Sequence, residues 1–151
     1  MTKRSPTLAP LFDVFFRDQV DGQSPSAATR TRAVRTDLEA YLDEHADRTL
    51  TTGSLALLNA EREFSPRGAF VRTMHADDLL FALPGYLTPE RRMRTPAAAR
   101  SQVVLIGRLA QWLWTEGHLP RHGLECGIHE LEAALSRARR ELVATARSSP
   151  L

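Results

Sequence analysis

The amino-acid sequence predicts an all-α protein, a compact bundle of five or six helices. Apolar residues recur with the period of an α-helix along most of the 151 residues, and the alternation typical of strands is nearly absent. Glycine and proline gather in short stretches between the periodic segments, where a chain turns. With 42% hydrophobic and 25% charged residues, the composition is that of a soluble globular protein and excludes the collagen-like and disordered classes.

Six segments carry the helical pattern. They lie at residues 8–20, from Ser26 onward, and at residues 55–63, 76–83, 97–115 and 128–146. In the second segment, Val34, Leu38 and Leu42 repeat at the spacing of a buried helix stripe. Pro84 is expected to stop or bend the fourth helix, and Gly117 to end the fifth.

These helices predict one main unit with short flanking segments. The expected division is a disordered N-terminus at 1–7, a helical core at 8–120 with an insert at about 49–73, a linker and C-terminal helix at 121–147, and a disordered tail at 148–151. The residues of the insert are less regular than the rest, and its Pro66 and Gly68 indicate a turn.

The sequence predicts a cytoplasmic protein that does not cross a membrane. Residues 1–10 lack the apolar region of a signal peptide. The longest aliphatic run, residues 103–106, is far shorter than the roughly 18 residues that span a bilayer. Cys126 is the single cysteine and cannot form an internal disulfide, which fits a reducing compartment.

Arginine dominates the positive charge. The net charge is +2, and 19 of the 20 basic residues are arginine, the side chain best suited to contact phosphates and bases with two parallel hydrogen bonds. A GC-rich genome would produce the same arginine content by default. The positions of the arginines therefore carry more information than their number.

The second predicted helix has its charges in the reverse of the order that the helix dipole favours. Arg30, Arg32 and Arg35 lie in its first half, whereas its second half is acidic. Such a helix start offers cations and backbone N–H groups to a phosphate. Alternatively, local pairs such as Arg35 with Glu39 satisfy these arginines within the helix.

The predicted helix at 97–115 and the loop before it repeat this arrangement. Residues 91–115 contain no acidic residue and carry five positive charges, on Arg91, Arg92, Arg94, Arg100 and Arg108. Ser101 and Gln102 share the first turns with Arg100, a set of side chains able to reach phosphates and base edges. Two helices with cationic first halves predict a surface that binds double-stranded DNA.

Four segments in order resemble a known family. They are an aromatic-rich first helix at 11–16, a Ser/Thr-rich helix with Asp37-Leu38 and Tyr41 at 24–42, an Asp-Leu-x-Phe segment at 76–83, and a helix with Trp112-Leu113 ahead of Gly117 at 100–120. This order resembles the N-terminal core-binding domain of tyrosine recombinases, the SAM-like helical domain of phage integrases and Xer-type enzymes. The resemblance covers residues 8 to about 120 and implies a DNA-binding function in recombination or integration, with the second and fourth helices of the motif on the duplex.

The chain departs from that family in ways that matter. The insert at 49–73 is longer than the family's link, and Val34 stands where the family has an aromatic residue. The segment His118-Leu119-Pro120-Arg121-His122 superficially matches the family's catalytic His-x-x-Arg box, but no tyrosine nucleophile follows it. We therefore expect a non-catalytic protein that needs no cofactor.

Three other interpretations remain open from the residues. His118, His122, Cys126 and His129 have side chains that bind zinc, although their spacing fits no familiar zinc site and a solvated linker explains them as well. The C-terminal helix is a candidate for self-association into a homo-oligomer. The main rival to DNA binding is a helical protein-interaction adaptor or small regulatory subunit whose arginines meet an acidic partner.

Overall fold

Helices account for all the regular structure in the part of the chain that the structure, a computed structural model, describes, residues 5–148. The α-helices are α1 (Leu8–Val20), α2 (Pro25–His45), α3 (Thr52–Phe64), α4 (Ala69–Thr73), α5 (Ala76–Tyr86), α6 (Pro96–Thr115) and α7 (Glu125–Ser148). Two 3-10 turns, Ala46–Thr49 and Pro89–Arg91, precede α3 and α6. The predicted all-α class is confirmed, but this range holds seven α-helices rather than five or six.

The additional helix is α4, which lies inside the predicted insert. Gly68 precedes it with φ of +79°, a left-handed conformation that suits glycine. The carboxylate of Asp43 on α2 accepts hydrogen bonds from the backbone N–H groups of Gly68 and Phe70, at 2.8 and 3.0 Å. This cap comes from a residue 25 positions before Gly68, so the local sequence around α4 does not predict the helix.

The core brings α1, α5 and α6 onto α2. Phe12, Phe15 and Phe16 are buried along α1, and the Phe15 ring lies 5.6 Å from that of Trp112 on α6. Helix α5 continues past Pro84 for a further half-turn, ending at Tyr86, whose buried ring packs 5.3 Å from Tyr41 of α2. Of the two outcomes predicted for Pro84, a stop or a bend, the stop is therefore wrong, because contacts from another helix hold Tyr86 in α5.

Helix α7 covers one side of α5 and α6. It begins at Glu125, three residues before the predicted start, and buries Leu131, Leu135 and Ala138. Gly127 allows a close approach, since a Cβ there would lie 2.8 Å from the Phe81 ring of α5. The approach fixes the first turn of α7 against the bundle.

The predicted disordered ends lie partly outside the described residues. This applies to residues 1–4 and 149–151, whereas Ser148 is the last residue of α7. Pro6 is described, and its carbonyl oxygen lies 3.1 Å from Nδ1 of His75. Within residues 5–148, no helix is both long enough and apolar enough to pass through a bilayer.

Candidate nucleic-acid interface

Helices α2 and α6 lie side by side and form a groove between their first halves. Gln23, Ala27, Arg30 and Thr31 line it from α2 and the residue stretch before it, and Ala97, Arg100, Ser101, Val104, Leu105 and Arg108 line it from α6. We call this surface the arginine groove. Ser24 and Thr95 fix the helix starts, because their side-chain oxygens accept the N–H groups of Ala27 and Ala98.

The arginine groove carries three positive charges and no carboxylate. Arg30, Arg100 and Arg108 all line it. Within residues 5–148, the side chains of Arg30 and Arg100 have no ion-pair or hydrogen-bond partner, while Arg108 donates to the Gln19 side chain at 3.3 Å. Arg100, Val104 and Arg108 repeat every fourth residue, so they form one line on α6, and Val104 is 46% exposed. The groove is therefore a cationic surface with unused hydrogen-bond donors.

The acidic half of α2 is engaged inside the protein, which explains its reversed charge order. Asp37 accepts a hydrogen bond from the Tyr86 hydroxyl at 2.7 Å, and Asp47, in the 3-10 turn directly after α2, pairs with Arg62 at 2.6 Å. The hydrogen bond from Arg62 holds the pKa of Asp47 below its usual value. Asp43 also has a structural role, since it caps α4. These acidic side chains therefore have partners within the described chain, whereas the Arg30 side chain has none.

Arg35 has a structural role as well. Its guanidinium donates to Asp13 at 2.6 Å and to Glu39 at 3.2 Å, and it lies 5.5 Å from the centre of the Phe16 ring. Burial lowers the pKa of Arg35, but the hydrogen bonds to the two carboxylates outweigh it and raise the pKa overall. The pair with Glu39 is the local ion pair that was the alternative to phosphate binding in the sequence analysis. Together with the pair to Asp13, it occupies guanidinium N–H groups that a phosphate would need.

Arg32 is exposed but lies away from the arginine groove. It lines a separate depression with Arg35 that also contains Asp13 and Asp21. Its side chain has no hydrogen-bond or ion-pair partner among the described residues. Arg32 is thus accessible on a face where carboxylates reduce the positive field.

The arginines of the loop before α6 line a second depression. Arg91, Arg92 and Arg94 share it with the carboxylates Asp37, Glu44 and Glu90, and we call it the mixed depression. Arg91 lies 5.3 Å from the centre of the Tyr41 ring, and Arg92 donates to the carbonyl of Leu87 at 3.1 Å. The carboxylate of Glu141 on α7 also lies 3.8 Å from Arg92.

Gln102 is not a surface residue. The prediction that it reaches base edges is not supported, because its side chain is 2% exposed. It accepts the N–H of Met93 and donates to the carbonyl of Arg91, both at 2.9 Å. Gln102 therefore fixes the loop that carries Arg91 and Arg94.

A buried hydroxyl lies next to this contact. Tyr86 is 1% exposed, and its hydroxyl donates to Asp37. Burial, and then the hydrogen bond and charge of Asp37, raise the pKa of Tyr86 far above its ordinary value. The polar groups beneath the mixed depression are thus a fixed part of the fold rather than an open reactive site.

The structure brings together three of the nine predicted site residues. Arg30, Arg100 and Ser101 meet in the arginine groove, and Arg108 joins them. The sequence prediction omitted Arg108 from the site, although its position eight residues after Arg100 places both on one helix face. The other six predicted residues lie elsewhere, as described above.

The histidine and cysteine side chains of residues 118–129 do not form a metal site. His118 packs on the Trp112 ring, with ring centres 5.3 Å apart, and Cys126 is exposed on α7. No three His, Cys, Asp or Glu side chains between residues 5 and 148 are grouped to hold a metal ion.

Comparisons of the chain with family models, curated proteins and solved structures found no match.

Proposed function

We propose that this protein is a non-catalytic domain that binds double-stranded DNA through the arginine groove. The observation that carries the proposal is the pairing of three groove arginines from two helices with no carboxylate among the lining residues. The depression that holds Arg91, Arg92 and Arg94 and the one that holds Arg32 and Arg35 both contain acidic side chains. A phosphate backbone is a polyanion, and it would meet less repulsion here than at those other arginine-lined surfaces.

The geometry of α6 suits a repeating anion. Arg100 and Arg108 are eight residues apart, which corresponds to about 12 Å along the helix axis. Phosphates recur at a regular spacing along each DNA strand, so two arginines on one line of α6 can contact two phosphates of the same strand. Arg30 supplies a third contact from α2 across the groove.

The proposal includes the role implied by the family resemblance. A domain of this kind would recognise or hold DNA in site-specific recombination or integration, and the residues of the arginine groove would bind the duplex without cleaving it. The phosphate contacts supply affinity but little sequence discrimination. We therefore expect dissociation constants near those of non-specific binders, about 10⁻⁴–10⁻⁶ M at physiological salt.

The experiment is a titration of a labelled duplex across a salt series. Three phosphate contacts predict that log affinity falls with log salt at a slope of about −2.7. Arg100→Ala should make that slope shallower by about 0.9. Arg121→Ala is the matched control, because it removes the same charge from an exposed position in the link between α6 and α7.

Absence of binding at low salt would overturn the proposal. Equal losses in Arg100→Ala and Arg121→Ala would also overturn the assignment of the groove, because net charge alone would then explain the binding. Circular dichroism and thermal melting of each variant establish that the fold is intact.

A second candidate function, a protein-interaction adaptor, is favoured by exposed apolar side chains on α3. Phe64 is 89% exposed and Leu57 is 53% exposed. The two residues are seven apart and so share one helix face. An adaptor would bind a protein partner through such a face, and it would lose that partner, but not DNA, in Phe64→Glu.

A further inference from the structure

Helix α7 has an outer face whose charges are divided along its length. Glu125 and Glu132 lie in its first half and Arg140 and Arg147 in its second half, and all four are exposed. Their positions differ by 7, 8 and 7 residues, close to two helix turns each time, so they share one face. The face runs for about 33 Å, from Glu125 to Arg147.

The order of residues on this face is symmetric about Ser136. Glu125 and Arg147 are each eleven positions from Ser136, and Glu132 and Arg140 are each four positions from it. An antiparallel second copy of α7, with the twofold axis at Ser136, would place each glutamate opposite an arginine. A parallel copy would instead place like charges together.

Two exposed apolar side chains lie near this face. Val143 is 51% exposed and lies seven positions after Ser136, opposite the position of His129. Trp114 of α6 is 46% exposed and lines the groove beside the first half of α7, together with Ile128 and Glu132. In the antiparallel arrangement, Val143 of one copy comes to the end of α7 where Trp114 of the other copy lies.

The residues near the symmetry point are small. Ala133 and Ser136 are exposed on α7, and Ser136 also borders the groove between α7 and α6. Small side chains let two helices approach closely, and this leaves the longer charged residues to pair on either side. The intramolecular contacts of the glutamates are weak or local: Glu132 lies 3.9 Å from His129, and Glu125 accepts the N–H of Gly123. Arg140 has no hydrogen-bond or ion-pair partner within residues 5–148.

We propose that this face of α7 binds a second copy of the same chain in an antiparallel, twofold-symmetric helix pair. Each such interface contains the pair of Glu132 with Arg140 twice, and the pair of Glu125 with Arg147 twice, because a twofold interface uses the same patch on both subunits. Complementary charges set the direction of the helices, and the contact of Val143 with Trp114 buries apolar surface. The proposal is independent of DNA binding.

Charge exchange tests the pairing directly. The molar mass of the full chain is measured by sedimentation over a range of concentrations, for the parent, Glu132→Arg, Arg140→Glu and the double variant. Each single change turns two attractive pairs into two repulsive ones, so the dimer dissociation constant should rise by about tenfold or more. The double variant restores opposite charges at both pairs and should recover most of the parent affinity.

Two further variants strengthen the test. Phe64→Glu changes the most exposed apolar side chain of α3 and should leave the dimer unchanged. In a Cys126→Ser background, Ser136→Cys places two thiols at the twofold axis and should give an oxidised dimer, whereas Ala60→Cys, exposed on α3, should not.

A parent chain that stays monomeric at all concentrations would overturn the proposal. A dimer that survives both single changes, or one that the double variant fails to restore although its helical content is normal, would overturn it as well. Loss of the dimer in Phe64→Glu would instead locate the interface on α3.

Discussion

The arginine groove and the mixed depression differ in their counterions rather than in their number of arginines. Each is lined by three arginines, and both involve α2 and the start of α6. The mixed depression also holds three carboxylates, and its Arg92 is bound to a backbone carbonyl. The arginine groove holds no carboxylate, and its Arg30 and Arg100 have no partner within the described chain. A local count of arginines therefore does not locate a phosphate-binding surface, whereas the distribution of acids around them does.

The largest expected effect comes from removing two arginines from each surface. At about 0.1 M salt, the loss of one phosphate contact reduces affinity about eightfold through counterion release alone. Arg30→Ala with Arg100→Ala should therefore weaken duplex binding about sixtyfold, while Arg91→Ala with Arg94→Ala should weaken it less than tenfold. Both double variants remove two positive charges and so have the same net charge. A difference in their duplex affinities therefore reports the location of the arginines. Equal losses would show that the two surfaces do not differ in function.

The next prediction concerns the loop that shapes the mixed depression. Gln102→Leu keeps the approximate side-chain size but leaves the N–H of Met93 and the carbonyl of Arg91 without their partner. Leaving buried polar groups unpaired should reduce the free energy of unfolding by about 2 kcal/mol. Chemical denaturation measures this change, and Ser101→Ala, at the preceding position of α6, is the control, with an expected change below about 0.5 kcal/mol. A neutral Gln102→Leu would mean that water replaces the lost contacts.

The sequence predicted the helices well where the local pattern decides them. The expected α6 at residues 97–115 differs by one residue from the observed Pro96–Thr115. The same periodicity could have placed Gln102 on the buried face, because Ala99, Gln102, Ile106 and Leu109 follow the spacing of a buried stripe, but the prediction assigned Gln102 to the surface. Because glutamine is polar, Gln102 was assigned to the surface, although the helical spacing indicated a buried position.

The remaining differences depend on contacts between distant parts of the chain. The cap of α4 by Asp43 joins residues 25 positions apart, and the pair of Arg35 with Asp13 joins residues 22 positions apart. Neither partner can be identified from local spacing. The same holds for the arginine groove, which exists because the packing of α2 against α6 brings Arg30 beside Arg100.

Neutralising acids should make the mixed depression resemble the arginine groove. Glu44→Gln with Glu90→Gln removes two of its three carboxylates and leaves Asp37 to accept the Tyr86 hydroxyl. Removing two like charges near a phosphate path should raise duplex affinity about three- to tenfold at low salt. The control is Glu63→Gln with Glu116→Gln, which makes the same change in net charge at exposed positions elsewhere. If both pairs of substitutions raise duplex affinity equally, the effect comes from the net charge of the protein, and the mixed depression does not lie near the bound DNA.

The smallest expected effect is a change in stability with pH, which tests the buried contact of Tyr86 with Asp37 at the mixed depression. Burial and Asp37 raise the pKa of Tyr86 in the folded state, while the unfolded chain keeps a value near 10. Above that pH the unfolded chain releases its proton and the folded chain retains it, so stability falls as pH rises. The decline should be about 0.4 kcal/mol over the half-unit above pH 10, because the unfolded tyrosine is only about half ionised at pH 10 and the full slope of about 1.36 kcal/mol per unit applies only at higher pH. Tyr86→Phe has no hydroxyl proton to release and should lose this part of the alkaline decline, although it is less stable at neutral pH because Asp37 loses its hydrogen-bond donor.

Denaturation of both proteins between pH 8 and about 10.5 measures the difference in their free energies of unfolding. Parallel declines in the two would show that Tyr86 ionises in the folded state as easily as in the unfolded chain. The arginine groove has no tyrosine among its lining residues, so duplex binding measured below pH 9 should be insensitive to Tyr86→Phe.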